Sequence, residues 1–302
     1  MPEPKVMVIV LTWNGIHDTL ECLTSLSKVD YRNKEIVVVD NGSTDGTVQA
    51  IRSRFPTIAL IENDRNLGYA AGNNVGLRHA LRTGADQVLL LNNDTVAAPD
   101  FLGLLVQALD GRHSVGIAGP MVYYHTHPEV IASAGGEIDW RNGATRMRAI
   151  DQTDRGQFKE AEFVDFVTGC ALLAKAETVK KIGHLDQAFF MYFEETEWCV
   201  RARRAGYHTL FVPQAKVWHK VSPAKQSTSP RISYYMTRNR LLFLRRSKAQ
   251  KIAHLRAVSS DLRTVLAWSI RPKYREKTAQ RNAMIRALLD YALGKFGERR
   301  FA

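Results

Sequence analysis

The feature that most constrains this chain is a rhythm near its start, where short β-branched apolar runs alternate with amphipathic stretches of helical period. The strand-like runs fall at 6–11, 35–40, 58–62 and 87–91, and the helical stretches near 18–28, 46–54 and 68–82. This is the βαβ pattern, and it predicts an α/β fold built on a mostly parallel sheet covered by helices. Val88 to Leu91 are apolar without alternation, as suits a strand buried on both faces. Polar residues follow each strand at once, and open α/β sheets bind ligands in the crevice at the carboxyl ends of their strands. Thr12 to Asn14, Asp40 to Ser43 and Asn92 to Asp94 are therefore expected to converge there.

From 116 to 167 the pattern weakens into irregular strands and loops, with glycines and aromatics in place of clear periods. Helical signal returns at 176–182 and 195–205, a strand at 209–212, and two or three basic helices across 229–300. We expect a catalytic domain over 1–228 and a basic helical region over 229–302, because 302 residues with 45% hydrophobic content can bury one large core with an appendage. Cys22, Cys170 and Cys199 are far apart, which suggests neither a disulfide framework nor a thiolate zinc site and points to a reducing compartment. No signal-like segment opens the chain and no apolar stretch reaches membrane-spanning length, so a soluble or peripheral cytoplasmic protein is expected.

The net charge of +12 is uneven: from Lys220 onward there are 20 lysines and arginines against 4 acidic residues, and before it 22 against 26. Such a basic C-terminal third suits an anionic partner, with a membrane surface, a lipid diphosphate or a nucleic acid all allowed, or is simply a solvated face.

Several stretches carry groups suited to chemistry. Asp40 ends a strand and can accept from a base N–H, although Asp40 and Ser43 also make an ordinary turn and helix cap. The small residues of 66–74, including Gly68, Gly72 and Asn73, allow a backbone to approach a ligand closely, and equally allow close helix packing. They match neither a dinucleotide fingerprint nor a phosphate-cradling loop, which disfavours hydride transfer and P-loop chemistry. Asn92-Asn93-Asp94 leaves a buried strand with three oxygen-bearing side chains, fit for a hard cation and diphosphate oxygens, with turn formation as the bland alternative. Glu194, Glu195 and Glu197 open a helix beside an aromatic run. Pairing with Arg201 accounts for Glu197, and a carboxylate in a partly dry cleft gains a pKa near neutrality, as a general base requires. His219 follows a strand-like run and could join Asp94 around a metal, or be structural.

In order, Thr12-Trp13-Asn14, Asp40 to Gly46, Asn66-Leu67-Gly68 with Gly72-Asn73-Asn74, Asn92-Asn93-Asp94, Thr168-Gly169-Cys170, Phe190 to Arg204 and Trp218-His219 resemble the family 2 inverting glycosyltransferases of the GT-A fold, in particular rhamnosyltransferase-like and galactofuranosyltransferase-like members. The resemblance spans about Val6 to Arg246. It implies a nucleotide-sugar donor, dTDP-rhamnose or a UDP-sugar, and a hydroxyl of a glycan or lipid-linked glycan as acceptor, in cell-surface polysaccharide synthesis. It also implies a divalent metal, Mg²⁺ or Mn²⁺, held by Asp94 and His219, and Glu195 as the base. The donor would be met by Thr12, Asn14, Asp40, Gly68, Asn73, Asn92, Asn93, Asp94, Gly169 and Arg238, with Tyr235, Arg238 and Asn239 in a segment that closes over donor and acceptor. The first two positions of the D-x-D-type motif are asparagine here, and Glu195 stands where the family usually has aspartate. Peripheral attachment at the cytoplasmic face of the inner membrane, without nucleic-acid binding, would follow. A nucleotidyltransferase, or a non-enzymatic nucleic-acid-binding protein, are the rival readings.

Overall fold

A computed structural model describes residues 3–220 and 229–299. The opening rhythm folds into β1 (Val6–Thr12), α1 (Ile16–Ser27), β2 (Lys34–Asp40), α2 (Thr47–Arg54), β3 (Ala59–Glu62), α3 (Gly68–Arg82) and β4 (Gln87–Asn92). After them come β5 (Thr95–Ala97), α4 (Phe101–Leu109), β6 (Val115–Tyr124), β7 (His127–Ser133), β8 (Gly136–Asp139), β9 (Ala144–Met147), β10 (Glu162–Val164) and β11 (Ala171–Lys175). The chain continues through α5 (Ala176–Ile182), a 3-10 turn (Gln187–Phe189), α6 (Glu194–Arg204) and β12 (His208–His219). It ends in α7 (Pro230–Arg246), α8 (Lys251–Ile270), a second 3-10 segment (Pro272–Lys277) and α9 (Thr278–Ala292).

The main sheet has the strand order β10-β12-β6-β11-β4-β1-β2-β3, with β5 on β12 and β7 on β6. The quartet β4-β1-β2-β3 is parallel, as the βαβ pattern requires, whereas β11 runs antiparallel between β4 and β6, so the sheet as a whole is mixed. Both faces of β1 are covered: Val6, Val8 and Val10 pack with Leu23, Leu26 and Phe101, and Met7 and Ile9 with Leu77 and Val88. Gly76 lets α3 lie this close, since a Cβ there would come 2.4 Å from Ile9 Cγ2.

Two regions differ from the sequence expectation. The stretch from 116 contains β6, ten residues all buried in mid-sheet, whose apolar run is interrupted by Gly116, Gly119 and Pro120. A Cβ at Gly119 would lie 2.5 Å from the Val167 side chain, so the glycine that hides the strand from periodicity is the one its packing demands. The strand expected at 209–212 continues through an irregularity between Val212 and Lys216 and reaches His219, opposite Thr95 of β5.

The boundary expected after residue 228 adjoins residues 221–228, which lie outside the described residues. Beyond it α7 is part of the main core: Leu242 and Phe243 pack with Phe193 and Trp198. Its other face, through Leu241 and Leu244, packs on Ala253 and Ala257 of α8.

Candidate active site

Strand register assembles the first wall of the site. Thr12 pairs with Asp40 and Leu11 with Asn92, so the ends of β2, β1 and β4 stand in a row. At roughly 4.8 Å per strand, Asp40 and Asn92 are on the order of 10 Å apart, a span suited to a nucleoside at one end and its phosphates at the other. Asp40 uses one carboxylate oxygen to accept from the N–H groups of Gly42 (3.0 Å) and Ser43 (2.9 Å). Its other oxygen is buried with no hydrogen-bond partner among the described residues, which leaves an acceptor for a ligand N–H. The turn reading and the binding reading of Asp40 thus use different oxygens.

Asp94 and His219 meet at the end of β4. Asp94 Oδ1 lies 3.0 Å from His219 Nε2, yet this buried oxygen has no hydrogen-bond partner among the described residues. Asn92 Nδ2 is 3.4 Å from the same imidazole nitrogen. Burial pushes the Asp94 carboxyl up, but His219 and then Lys220 outweigh it and hold the group below the usual carboxylate range. An ionised carboxylate oxygen beside an imidazole nitrogen is a donor set that fits a divalent cation. Among the described residues no third His, Cys, Asp or Glu joins them, so further ligands would be donor phosphate oxygens and water.

The opposite wall comes from the loop leading into α6. A cavity of about 480 Å³ is lined by Asn92, Asp94 and His219 on one side and by Glu194, Glu195, Met191 and Tyr192 on the other. Thr168, Gly169 and Tyr69 also line it, and the Tyr69 hydroxyl donates to the Gly169 carbonyl at 2.5 Å. Burial raises both glutamates. Glu195 is pushed up to about 7, with the N–H groups of Glu195 and Thr196 at the start of α6 pulling against the rise. Glu194 is driven well above the usual range by burial and then by the neighbouring Glu195 charge. Oε2 of each is buried and without a hydrogen-bond partner among the described residues. Glu197 instead pairs with Arg201 at 2.5 Å, the helical partner expected from their spacing.

The loop that carries these glutamates has a costly backbone: Phe190, Tyr192 and Phe193 all have positive φ, between 66° and 74°. Asn239 of α7, fully buried, holds it by donating Nδ2 to the carbonyls of Phe189 (2.8 Å), Met191 (2.8 Å) and Tyr192 (2.9 Å).

Several residues expected at the donor make contacts within the protein. Arg238 is 1% exposed; its guanidinium donates to the carbonyls of Ala188, Phe189 and Gly297 and stacks on Tyr234 and Tyr235, so it supports the loop and does not line the cavity. Gly68 has φ +81 and faces Phe190, whose ring a Cβ would approach to 2.5 Å; Phe190 O accepts from Tyr69 N at the start of α3. Asn73 is 1% exposed and donates to Tyr69 O inside its own helix, with Oδ1 unpaired among the described residues. Asn93 turns toward β1 and α1, donating to Thr12 Oγ1 and Thr19 Oγ1, so Thr12 is engaged in the same buried cluster. Asn14 is exposed with φ 49 and ties two strand-end loops, accepting from Thr44 N and donating its own N–H to Ser43 Oγ. Sequence reasoning missed the apolar cavity wall of Val122, Met147, Ile150, Ile232 and Met236, because these residues come from three separate stretches with no shared motif.

A mixed sheet flanked by helices, with a cavity at the ends of its parallel strands and a helical C-terminal part, is the architecture of the GT-A class of sugar-transferring folds. The chain belongs to the family described as Glycosyltransferase like family 2, whose profile matches residues 2–239. Among relatives, it is 26% identical over 236 residues to an N-acetylglucosaminyl-diphospho-decaprenol L-rhamnosyltransferase of Mycobacterium tuberculosis, covering 70% of this chain and 75% of that one. It is 25% identical over 270 residues to the dTDP-rhamnosyl transferase RfbF of Shigella flexneri, covering 85% and 86%. In fold it is similar to the mannosyltransferase PcManGT from Pyrobaculum calidifontis, solved with GDP-Man and Mn2+, at TM-score 0.56 and 20% identity over 97% of this chain and 88% of that one. It is thus a glycosyltransferase.

Proposed function

We propose that this glycosyltransferase moves a sugar, with inversion, from a nucleoside-diphosphate sugar to a hydroxyl of a glycan or lipid-linked glycan, in the building of a cell-surface polysaccharide. The observation that carries the reading is that Asp94, His219 and Glu195 line one cavity. The names of the two rhamnosyl-transferring relatives favour dTDP-rhamnose as donor.

In this scheme Asp40 accepts a hydrogen bond from the nucleoside base through its unpaired oxygen. Asp94 and His219 would hold a divalent cation, whose charge offsets that of the departing diphosphate. Glu195 removes the proton of the acceptor hydroxyl as its oxygen attacks the anomeric carbon. The C–O bond to the diphosphate breaks as the new one forms on the opposite face, which inverts the centre without a covalent intermediate. The raised pKa of Glu195 suits it to take a hydroxyl proton near neutral pH. Asp94→Ala should weaken nucleotide binding by about tenfold or more and abolish its enhancement by Mn²⁺, read by titration calorimetry with and without chelator. Unchanged metal dependence would show that Asp94 is only a turn residue.

Among the described residues no helix is long and apolar enough to cross a membrane. A lipid-linked acceptor is met at the cytoplasmic face of the inner membrane, and peripheral attachment there is part of the proposal.

A further inference from the structure

The C-terminal helices bury one face and leave the opposite face apolar. On α8 the buried positions are Ala253, Ala257 and Asp261. At about 100° per residue, Ile252, Leu255, Leu262, Leu266 and Ile270 fall on the far side of the helix, within a stripe of roughly 80°. All five are exposed, Leu255 at 63% and Ile270 at 67%. Lys251, Arg256 and Arg263 flank the stripe and are exposed too. α9 repeats the design: Ala283, Met284, Ala287 and Asp290 are buried, while Ile285 and Leu289, with Leu293 just beyond the helix, are exposed.

The acids of α8 and α9 themselves are withdrawn from this surface, and Asp139 of β8, which lies near Arg256, is paired with Arg141. Asp261 is buried against Arg240 of α7 at 2.6 Å, and Asp290 is buried against Arg286 and Arg299. Of the acids between 251 and 292 only Glu276 remains exposed. A soluble helix seldom carries five exposed leucines and isoleucines on its solvent side, here interrupted by Ser259 alone, and an apolar stripe edged by cations is the composition of a helix that lies in a bilayer interface.

We propose that α8 docks this protein on an anionic bilayer, with its leucine stripe sunk to the acyl boundary and Lys251, Arg256 and Arg263 at the headgroup phosphates. This names the contact by which the peripheral attachment proposed above is made, and it stands independently of the catalytic scheme. Since Arg240 joins α8 to the helix that carries Asn239, the docked helix is packed against the segment that supports the glutamate wall.

The test is co-sedimentation of the purified full chain with phosphatidylcholine vesicles containing phosphatidylglycerol, and with phosphatidylcholine alone; neither reads catalysis. Binding to the anionic vesicles at low salt is expected, weakened but not abolished at high salt, because the apolar share resists screening. Leu255→Ser combined with Leu262→Ser should lower partitioning by about tenfold or more with an unchanged melting temperature. Arg256→Glu with Arg263→Glu should remove the preference for anionic lipid. Absence of wild-type binding, or full binding by the leucine variant, would overturn the proposal. So would a wild-type dimer that the leucine variant converts to monomer, since the stripe would then be a contact between copies of this chain.

Discussion

The two walls of the cavity use the same chemical group and treat it in opposite ways. On the strand-end wall Asp94 is held ionised by His219 and Lys220, despite its burial. Across the cavity no cation among the described residues offsets the burial of Glu195, so its proton is retained up to about neutral pH. The backbones differ as well: the Asp94 wall follows from parallel register, whereas the glutamate wall stands on three non-glycine residues of positive φ fastened by Asn239. The contrast separates the roles, since a carboxylate fixed in its charged form suits a cation and one poised near neutrality suits proton transfer.

Substitutions can break the two walls separately. The largest effect is expected from Glu195→Gln, which should lower kcat by about 10²-fold or more while nucleotide affinity stays at the wild-type value; near-normal turnover would remove Glu195 from the base role. Asn239→Ala should come next. Losing one amide that serves three carbonyls costs on the order of 1–3 kcal/mol of stability, and release of the loop should cut kcat by about tenfold without changing nucleotide binding. Equal loss on both walls, in a calorimetric titration beside the rate measurement, would mean that Asn239 supports the whole fold instead of the loop.

The smallest effect sharpens the electrostatic half of the contrast. The Glu194 carboxyl has a folded-state pKa raised above its unfolded value, so its ionisation penalty is absent in acid and appears as pH rises through the unfolded value toward the folded one. Glu194→Gln should therefore raise the melting temperature by about 2–4 °C at mildly alkaline pH and leave it nearly unchanged in acid. A uniform shift at every pH would indicate packing, not charge.

The legible parts of the sequence were those with local signals. The βαβ half was readable because each strand is a short apolar run ended by polar residues, and Asp94, Glu195 and His219 each stand at the end of an element. What could not be read depends on contacts between distant segments. β6 is masked by glycines whose small size only makes sense beside Val167 and Thr178. Arg238, expected at the donor, is a buried clamp because three carbonyls of a loop some 50 residues earlier, and of the chain near Gly297, need donors. Asn93 and Gly68 have turn-like and small-residue signatures that fit a ligand or a packed neighbour equally well, and here Thr19 and Phe190 are the neighbours. The polar edge at Asp40 was legible, but its two oxygens with separate fates were not.

The claim that a dry wall supplies the base is tested most directly by the pH dependence of kcat for sugar transfer, under conditions where chemistry limits the rate. A base must be ionised to accept a proton, so the rate should climb as pH rises through about 7, where burial has raised Glu195, and level off above it. A profile already flat from the ordinary carboxylate range upward would contradict it.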